Sequence, residues 1–173
     1  YMQAPNYFEL FDIPMSFTPD HSVIKQRYLA LTRKYHPDFF TNDSAEAQSE
    51  ALEQSAHINK AYKTLRDAEA IIAYVLTLKG TLTVNEKYTL NNTFLMEVME
   101  WNEALTDAIM EGDEDTKNKA LAAIEQLQQA NYETVAHLLT KTHLDDISEE
   151  ALLQVKEYYY RKKYLDRILA ANK

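Results

Sequence analysis

The sequence predicts an all-α protein that folds around a core; scarce glycine and helical periodicity indicate the fold class, and the composition indicates the core. Only two glycines, Gly80 and Gly112, occur in 173 residues, where about 7% is the average share. Because β-hairpins and phosphate-binding loops depend on glycine at positive φ, a β-rich fold and a glycine-loop nucleotide site are both disfavoured. Along most of the chain, apolar residues recur at steps of three and four, which is the helical period. A share of 46% hydrophobic and 26% charged residues is typical of chains that fold around a core.

The N-terminal part is predicted to begin with a short helix followed by a longer, basic one. Asn6 is a suitable N-cap for a helix over residues 7–11. Between His21 and Tyr35 the apolar positions step by four, three and four residues, which indicates one helical face. Pro37 must end this helix, because proline forces the residue before it out of the α region. The rest of its surface carries four cations, Lys25, Arg27, Arg33 and Lys34.

Two further helices and a linker are predicted to follow. Ser44 is a plausible N-cap for a helix that runs to Leu65, and residues 68–79 form the next, with Gly80 at its C-terminal end. Residues 80–92 are rich in threonine and asparagine and have little helical period, as a linker would. The predicted division is 5–79 for the N-terminal domain, 80–92 for the linker and 93–173 for the C-terminal domain.

The C-terminal domain is predicted to be a bundle of three long amphipathic helices. The first runs over 94–110 and ends near Gly112, and the second covers 114 to about 142, with Asn131 as a candidate interruption. Ser148 caps the third, which continues to about residue 171.

Several classes of function are disfavoured by composition. The chain has no cysteine, which excludes disulfides, cysteine-held metal clusters and thiol catalysis. Its net charge of -9 argues against nucleic acid as a partner, and no apolar stretch reaches the 18 or so residues that a membrane span needs. No paired carboxylates or Ser/His/Asp set form a catalytic pattern, so neither an enzyme nor a cofactor is expected. The histidines outside residue 36 are not spaced as metal ligands: His21, His57, His137 and His143.

The tripeptide His36-Pro37-Asp38 gains meaning from the segments around it. In order and spacing, these segments resemble a J domain: the opening Tyr7-Phe8-Glu9-Leu10-Phe11, the basic helix that ends at Tyr35, the tripeptide, and Ile58-Asn59-Lys60-Ala61-Tyr62-Lys63-Thr64-Leu65. More narrowly, Ala73-Tyr74-Val75-Leu76 with Gly80, and Phe94-Leu95-Met96-Glu97, look like the HscB family of iron–sulfur co-chaperones.

The resemblance to J domains implies a site for an Hsp70 chaperone, either HscA-like or DnaK-like. The residues it implies are His36, Pro37 and Asp38, with Lys25, Arg27, Arg33 and Lys34 of the basic helix. They would contact the Hsp70 and trigger its ATP hydrolysis. Phe39 departs from the family, which often has lysine there, so the local positive charge is lower in this chain.

The resemblance to the HscB family implies a second site, for an IscU-like iron–sulfur cluster scaffold protein. The matching positions on the first helix of the bundle are Leu95, Met96, Met99, Glu100 and Glu103. From periodicity alone, bundle core residues are the better interpretation of these positions. On the last helix the matching residues are Tyr159 and Tyr160, and Tyr159 replaces an arginine of the family.

The combined expectation is an L-shaped all-α co-chaperone that stimulates an Hsp70 ATPase and delivers a scaffold protein to it. Two alternatives stay open: a general J-domain co-chaperone with another client, and a structural helical module or small helical enzyme in which the tripeptide is incidental. No cysteine-rich zinc module of the eukaryotic type is present, which favours the bacterial cytoplasm. The mitochondrial matrix is the alternative if a transit peptide has been removed.

Overall fold

The computed structural model describes residues 4–172, and all regular elements in that range are helical, which confirms the predicted fold class. Within the described residues eight α-helices occur in this order: α1 (Tyr7–Leu10), α2 (His21–Tyr35), α3 (Ala45–Leu65), α4 (Ala68–Leu78), α5 (Asn92–Glu111), α6 (Glu114–Glu133), α7 (Ala136–Leu139) and α8 (Glu149–Ala171). One 3₁₀ turn, Pro37–Phe40, lies between α2 and α3. The described residues form two compact units, of which the first contains 4–78 and 140–147, and the second 79–139 and 148–172.

The first unit is built on the packing of α2 against α3. The Tyr28 ring stacks on Tyr62, with centroids 4.0 Å apart, and its hydroxyl donates to Asn59 Oδ1 at 2.8 Å. These contacts fix the two helices on either side of the 3₁₀ turn. The core beneath them is closed by apolar side chains from all four helices and the loop after α1: Phe8, Phe11, Phe17, Ile24, Ile58, Leu65, Ile71 and Leu76.

The start of each long helix is set by a local cap. Asp20 accepts from the Ser22 amide, Ser44 from Ala47, and Ser148 from Ala151. These side-chain oxygens satisfy amides that have no partner within the helix, which is why polar residues at those positions mark the boundaries. The bounds predicted for α2, α3 and α8 are therefore close to those observed.

The predicted helix over 114–142 is wrong, because the chain leaves the helix after Glu133. The hydroxyl of Thr134 donates to the Asn131 carbonyl at 2.6 Å, and the buried Asn131 amide donates to the Tyr158 carbonyl in α8 at 3.1 Å. This tertiary contact holds the last turn of α6 and lets the chain turn into α7. Residues 140–147 then belong to the first unit, where Leu144 is fully buried.

The second unit encloses its core between α5, α6 and α8. Phe94, Val98 and Leu105 of α5 meet Ala120 and Ile124 of α6, and Leu165 closes the cluster from α8. Gly112, at φ +70°, ends α5 in the left-handed conformation, and its neighbour Asp113 caps α6. Because α5 buries this one stripe, its opposite face is left at the surface.

Candidate partner-binding sites

The tripeptide forms a fixed turn at the end of α2. Because Pro37 follows it, His36 has an extended backbone, with φ −63° and ψ 127°, and the chain passes into the 3₁₀ turn. The Asp38 amide donates to His36 Nδ1 at 3.2 Å, so a neutral ring carries its proton on Nε2. The Asp38 side chain is 84% exposed, with one carboxylate oxygen 3.6 Å from His36 Nδ1. The turn therefore presents the Asp38 carboxylate as an acceptor and His36 Nε2 as a donor at the protein surface.

The four predicted cations of α2 are all exposed. Arg33 lines a shallow depression together with Thr32, His36, Asp38 and Phe39, so the structure brings this cation next to the turn. Lys34 lies beside it, with its ammonium 5.2 Å from the Tyr35 ring centroid. Lys25 and Arg27 lie further back, about 12 Å and about 9 Å along the helix axis from Arg33. The predicted residues thus give α2 an exposed positive surface on more than one side, and Arg33 and Lys34 lie at the end next to the turn.

The predicted residues of α5 lie on its outer face, with the exception of half-buried Leu95. Met96 and Met99 are 64% and 59% exposed. Together with Glu100, Asn102 and Glu103 they line one open depression. The interpretation of these methionines as bundle core, which periodicity alone favours, is wrong, because Phe94, Val98, Leu105 and Ala108 form the buried stripe instead. Two exposed methionines edged by carboxylates are a surface suited to an apolar partner with basic surroundings.

The predicted residues of α8 lie in a separate aromatic cluster. Tyr160 stacks on Tyr88, with centroids 4.4 Å apart, and its hydroxyl donates to Glu86 Oε1 at 3.1 Å. Lys156 donates to the other oxygen of Glu86 and to the Thr81 carbonyl, each at 2.9 Å. The Tyr159 ring meets Tyr160 edge-on at 5.1 Å. Tyr160 is therefore held in place by residues 81–88.

Residues 81–88 are the part of this surface that the sequence did not predict. They fall within the predicted linker, yet Leu82 is buried and the Tyr88 hydroxyl donates to Glu157 of α8. The only local signal was Tyr88 itself, an aromatic residue within a polar stretch. We call the contacts of Thr81, Glu86 and Tyr88 with Lys156, Glu157 and Tyr160 the α8 clasp.

The ionisable groups of the α8 clasp have shifted pKa values. The hydrogen bond from Lys156, more than that from Tyr160, holds the pKa of the Glu86 carboxyl below its usual value. Burial, and then the hydrogen bond to Glu157, raises the pKa of Tyr88 to about 12. Burial, and then the hydrogen bond to Glu86, likewise raises the pKa of Tyr160 to about 12. The clasp therefore requires both phenols to be neutral and Glu86 to be ionised.

These pKa values predict a loss of stability at high pH. A phenol whose pKa is higher in the fold than in the unfolded chain stabilises the fold fully below pH 10 and loses that contribution as the pH rises to about 12. We expect the urea midpoint to fall across this window. The double variant Tyr88→Phe/Tyr160→Phe should show a smaller fall, because it has no phenol to ionise in the clasp. Tyr132→Phe, at an exposed ring, is the control, and an equal fall in all three proteins would contradict the assignment.

Successive parts of the chain match two known protein families. Residues 6–74 match the DnaJ domain, and residues 90–173 match the HSCB C-terminal oligomerisation domain. A DnaJ-domain match over the helices that carry the His-Pro-Asp turn makes this a J-domain protein, which confirms the first resemblance.

The relatives define the protein more narrowly. The co-chaperone protein HscB homolog of Shewanella baltica (strain OS195) is 34% identical over 170 residues, which cover 94% of each chain. The homolog of Pasteurella multocida (strain Pm70) is 33% identical over 168 residues, covering 95% of this chain and 92% of its own. The chain therefore belongs to the HscB family of co-chaperones.

Solved structures of that family have the same fold. Chaperone HscB from Vibrio cholerae superposes with a TM-score of 0.77 at 28% identity, covering 96% of this chain and 95% of its own. Human co-chaperone protein HscB superposes with a TM-score of 0.75 at 26% identity, and the match covers 99% of this chain and 82% of its own. The predicted family and helical architecture are thus confirmed along nearly the whole chain.

Residues 4–172 lack two other kinds of feature. No helix in this range is long and apolar enough to cross a membrane. No group of three or more histidine or acidic side chains in the same range is arranged to hold a metal ion.

Proposed function

We propose that this protein stimulates the ATPase of an Hsp70 partner and delivers an iron–sulfur cluster scaffold protein to it. The observation that carries the proposal is the exposed His-Pro-Asp turn, which directly follows an exposed basic helix in a chain of the HscB family. The Hsp70 is HscA-like or DnaK-like, and the scaffold is IscU-like. We assign Hsp70 contact to residues 5–79 and scaffold binding to 93–173, with 80–92 joining them.

The proposed contact with the Hsp70 has an electrostatic and a local part. Lys25, Arg27, Arg33 and Lys34 attract an acidic surface of the ATPase domain and orient α2 on it, since charge complementarity acts before contact. Asp38 then competes for an arginine that holds the Hsp70 in its resting state, because a carboxylate and a guanidinium form a strong charge-assisted pair. Pro37 keeps the turn rigid, so that little conformational entropy is lost on binding.

The proposed contact with the scaffold is apolar at its centre. Met96 and Met99 supply flexible apolar side chains, and Leu95 extends the surface at its half-buried edge. Glu100 and Glu103 surround them with negative charge, which favours a partner with basic residues around an apolar patch. Tyr159 and Tyr160 form a second contact on α8, kept in place by the α8 clasp.

The protein's own part in the cycle is binding. It brings the scaffold and the ATPase together and needs no cofactor or catalytic residue of its own for that task. The iron–sulfur cluster is the cargo of the scaffold. The bacterial sources of the relatives support the cytoplasm as the compartment.

Single-turnover ATP hydrolysis by HscA-like and DnaK-like proteins tests the proposal. We expect faster hydrolysis when this protein is added, and a further increase when an IscU-like scaffold is added with it. Stimulation that does not respond to the scaffold would leave a J-domain co-chaperone with another client. If neither Hsp70 responds to the protein, the proposed function is wrong.

A further inference from the structure

Phe39 is the most exposed large apolar side chain among the described residues of the first unit. Its exposed fraction is 71%, compared with 59% for Leu52 and 46% for Leu29. The next residue, Phe40, is half-buried. The Phe39 ring is therefore not needed for the local packing.

A backbone hydrogen bond and one aromatic contact nonetheless orient Phe39. Its amide donates to the His36 carbonyl at 3.0 Å, which closes the 3₁₀ turn. The ring lies edge-on to the His36 imidazole, with centroids 6.1 Å apart and an interplanar angle of 72°. An aromatic side chain has two rotatable bonds, so a ring held in this way loses little entropy when a partner covers it.

Charged groups of both signs surround this ring. Arg33 and Asp38 line the same shallow depression as Phe39. The depression thus combines an apolar ring, a cation and a carboxylate. A matching surface has an apolar hollow with an acidic group for Arg33 and a cation for Asp38. Aromatic residues flanked by such paired charges are common centres of binding energy in interfaces.

We propose that Phe39 inserts into an apolar hollow of the Hsp70 partner and strengthens the binding of this protein to it. The inference rests on the proposed function, because the occupant is chosen by continuity with the His36–Asp38 turn and by the positive charge of α2. In the bound state the ring is covered, while Arg33 and Asp38 pair with opposite charges at its rim.

The test is the concentration dependence of ATPase stimulation with an HscA-like Hsp70. Phe39→Ala should raise the half-saturating concentration about fivefold to tenfold, since it removes much of the apolar area that an exposed phenylalanine buries. The maximal rate should change little, because the turn that triggers hydrolysis is intact. The half-saturating concentration of Phe39→Leu should lie between those of the wild type and Phe39→Ala. Leu52→Ala removes an exposed apolar side chain from α3 and should behave like the wild type.

The outcomes separate this inference from the proposed function. If the wild type stimulates and Phe39→Ala has the same half-saturating concentration, the role of Phe39 is wrong and the proposed function stands. If Leu52→Ala weakens binding as much as Phe39→Ala, the effect is not specific to this hollow and the inference fails. If Phe39→Ala changes only self-association in sedimentation experiments, the ring contacts a second copy instead. No stimulation by the wild type would overturn the proposed function itself.

Discussion

Replacing Asp38 by asparagine should reduce the stimulation of Hsp70 ATP hydrolysis by at least about 30-fold, because removing one member of a buried charge pair costs 2 kcal/mol or more. The amide has the same size as the carboxylate but cannot form a charge-assisted pair with an arginine of the partner. The Asp38 side chain is 84% exposed, so the substitution should leave the fold intact. Single-turnover ATP hydrolysis measures the loss of stimulation, and circular dichroism checks that the fold is intact.

Asp43→Asn is the matched control for this experiment. Asp43 lies just after the 3₁₀ turn, is exposed, and loses the same charge on substitution. It should retain most of the stimulation. Equal losses in the two variants would mean that net charge near the turn matters and that the position of the Asp38 carboxylate does not. Full stimulation by Asp38→Asn would contradict the role of the turn.

The double variant Met96→Ala/Met99→Ala should bind an IscU-like scaffold about 30-fold to 100-fold more weakly than the wild type. Two methionines that become covered in the complex each contribute roughly 1 to 1.5 kcal/mol, and α5 offers no other apolar side chain in their depression. Titration calorimetry with the scaffold measures this loss. Because these methionines point away from the core, helix content and urea midpoint should be unchanged.

Met110→Ala controls for the loss of an exposed methionine from the same helix. Met110 is 81% exposed and lies 11 residues beyond Met99, or about 16 Å along the axis. This variant should bind the scaffold like the wild type. ATPase stimulation in the absence of scaffold should be unchanged in both variants. A double variant with normal scaffold affinity would show that the scaffold binds elsewhere.

Helix boundaries set by neighbouring residues could be predicted from the sequence. Pro37 marks the end of α2, and Ser44 and Ser148 mark the starts of α3 and α8. The end of α6 could not be predicted, because it depends on the hydrogen bond from Asn131 to the Tyr158 carbonyl, 27 residues away. Periodicity continues through that turn, so the sequence marks Asn131 only as a candidate interruption and does not fix where α6 ends.

The two candidate sites differ in how much of them the sequence contains. The His36–Asp38 turn is a local feature, since Pro37 determines the backbone of His36 and thereby the amide contact of Asp38. The exposure of Met96 and Met99 depends on which face of α5 is covered by α6, and a helical period alone does not specify that. The support of Tyr160 by Glu86 joins residues 74 positions apart, which no local pattern indicates.

The α8 clasp also has a consequence for the order in which the chain folds. Its hydrogen bonds join residues 69 to 75 positions apart, so one side is translated long before the other. At about 5 to 20 residues per second, residues 81–88 wait several seconds on the ribosome for their partners. The Tyr28–Tyr62 stack, by contrast, forms within the first 65 residues. Emergence of the final helix therefore ends a period in which this segment is accessible to proteases and chaperones, and docking of residues 81–88 belongs to the last stage of maturation.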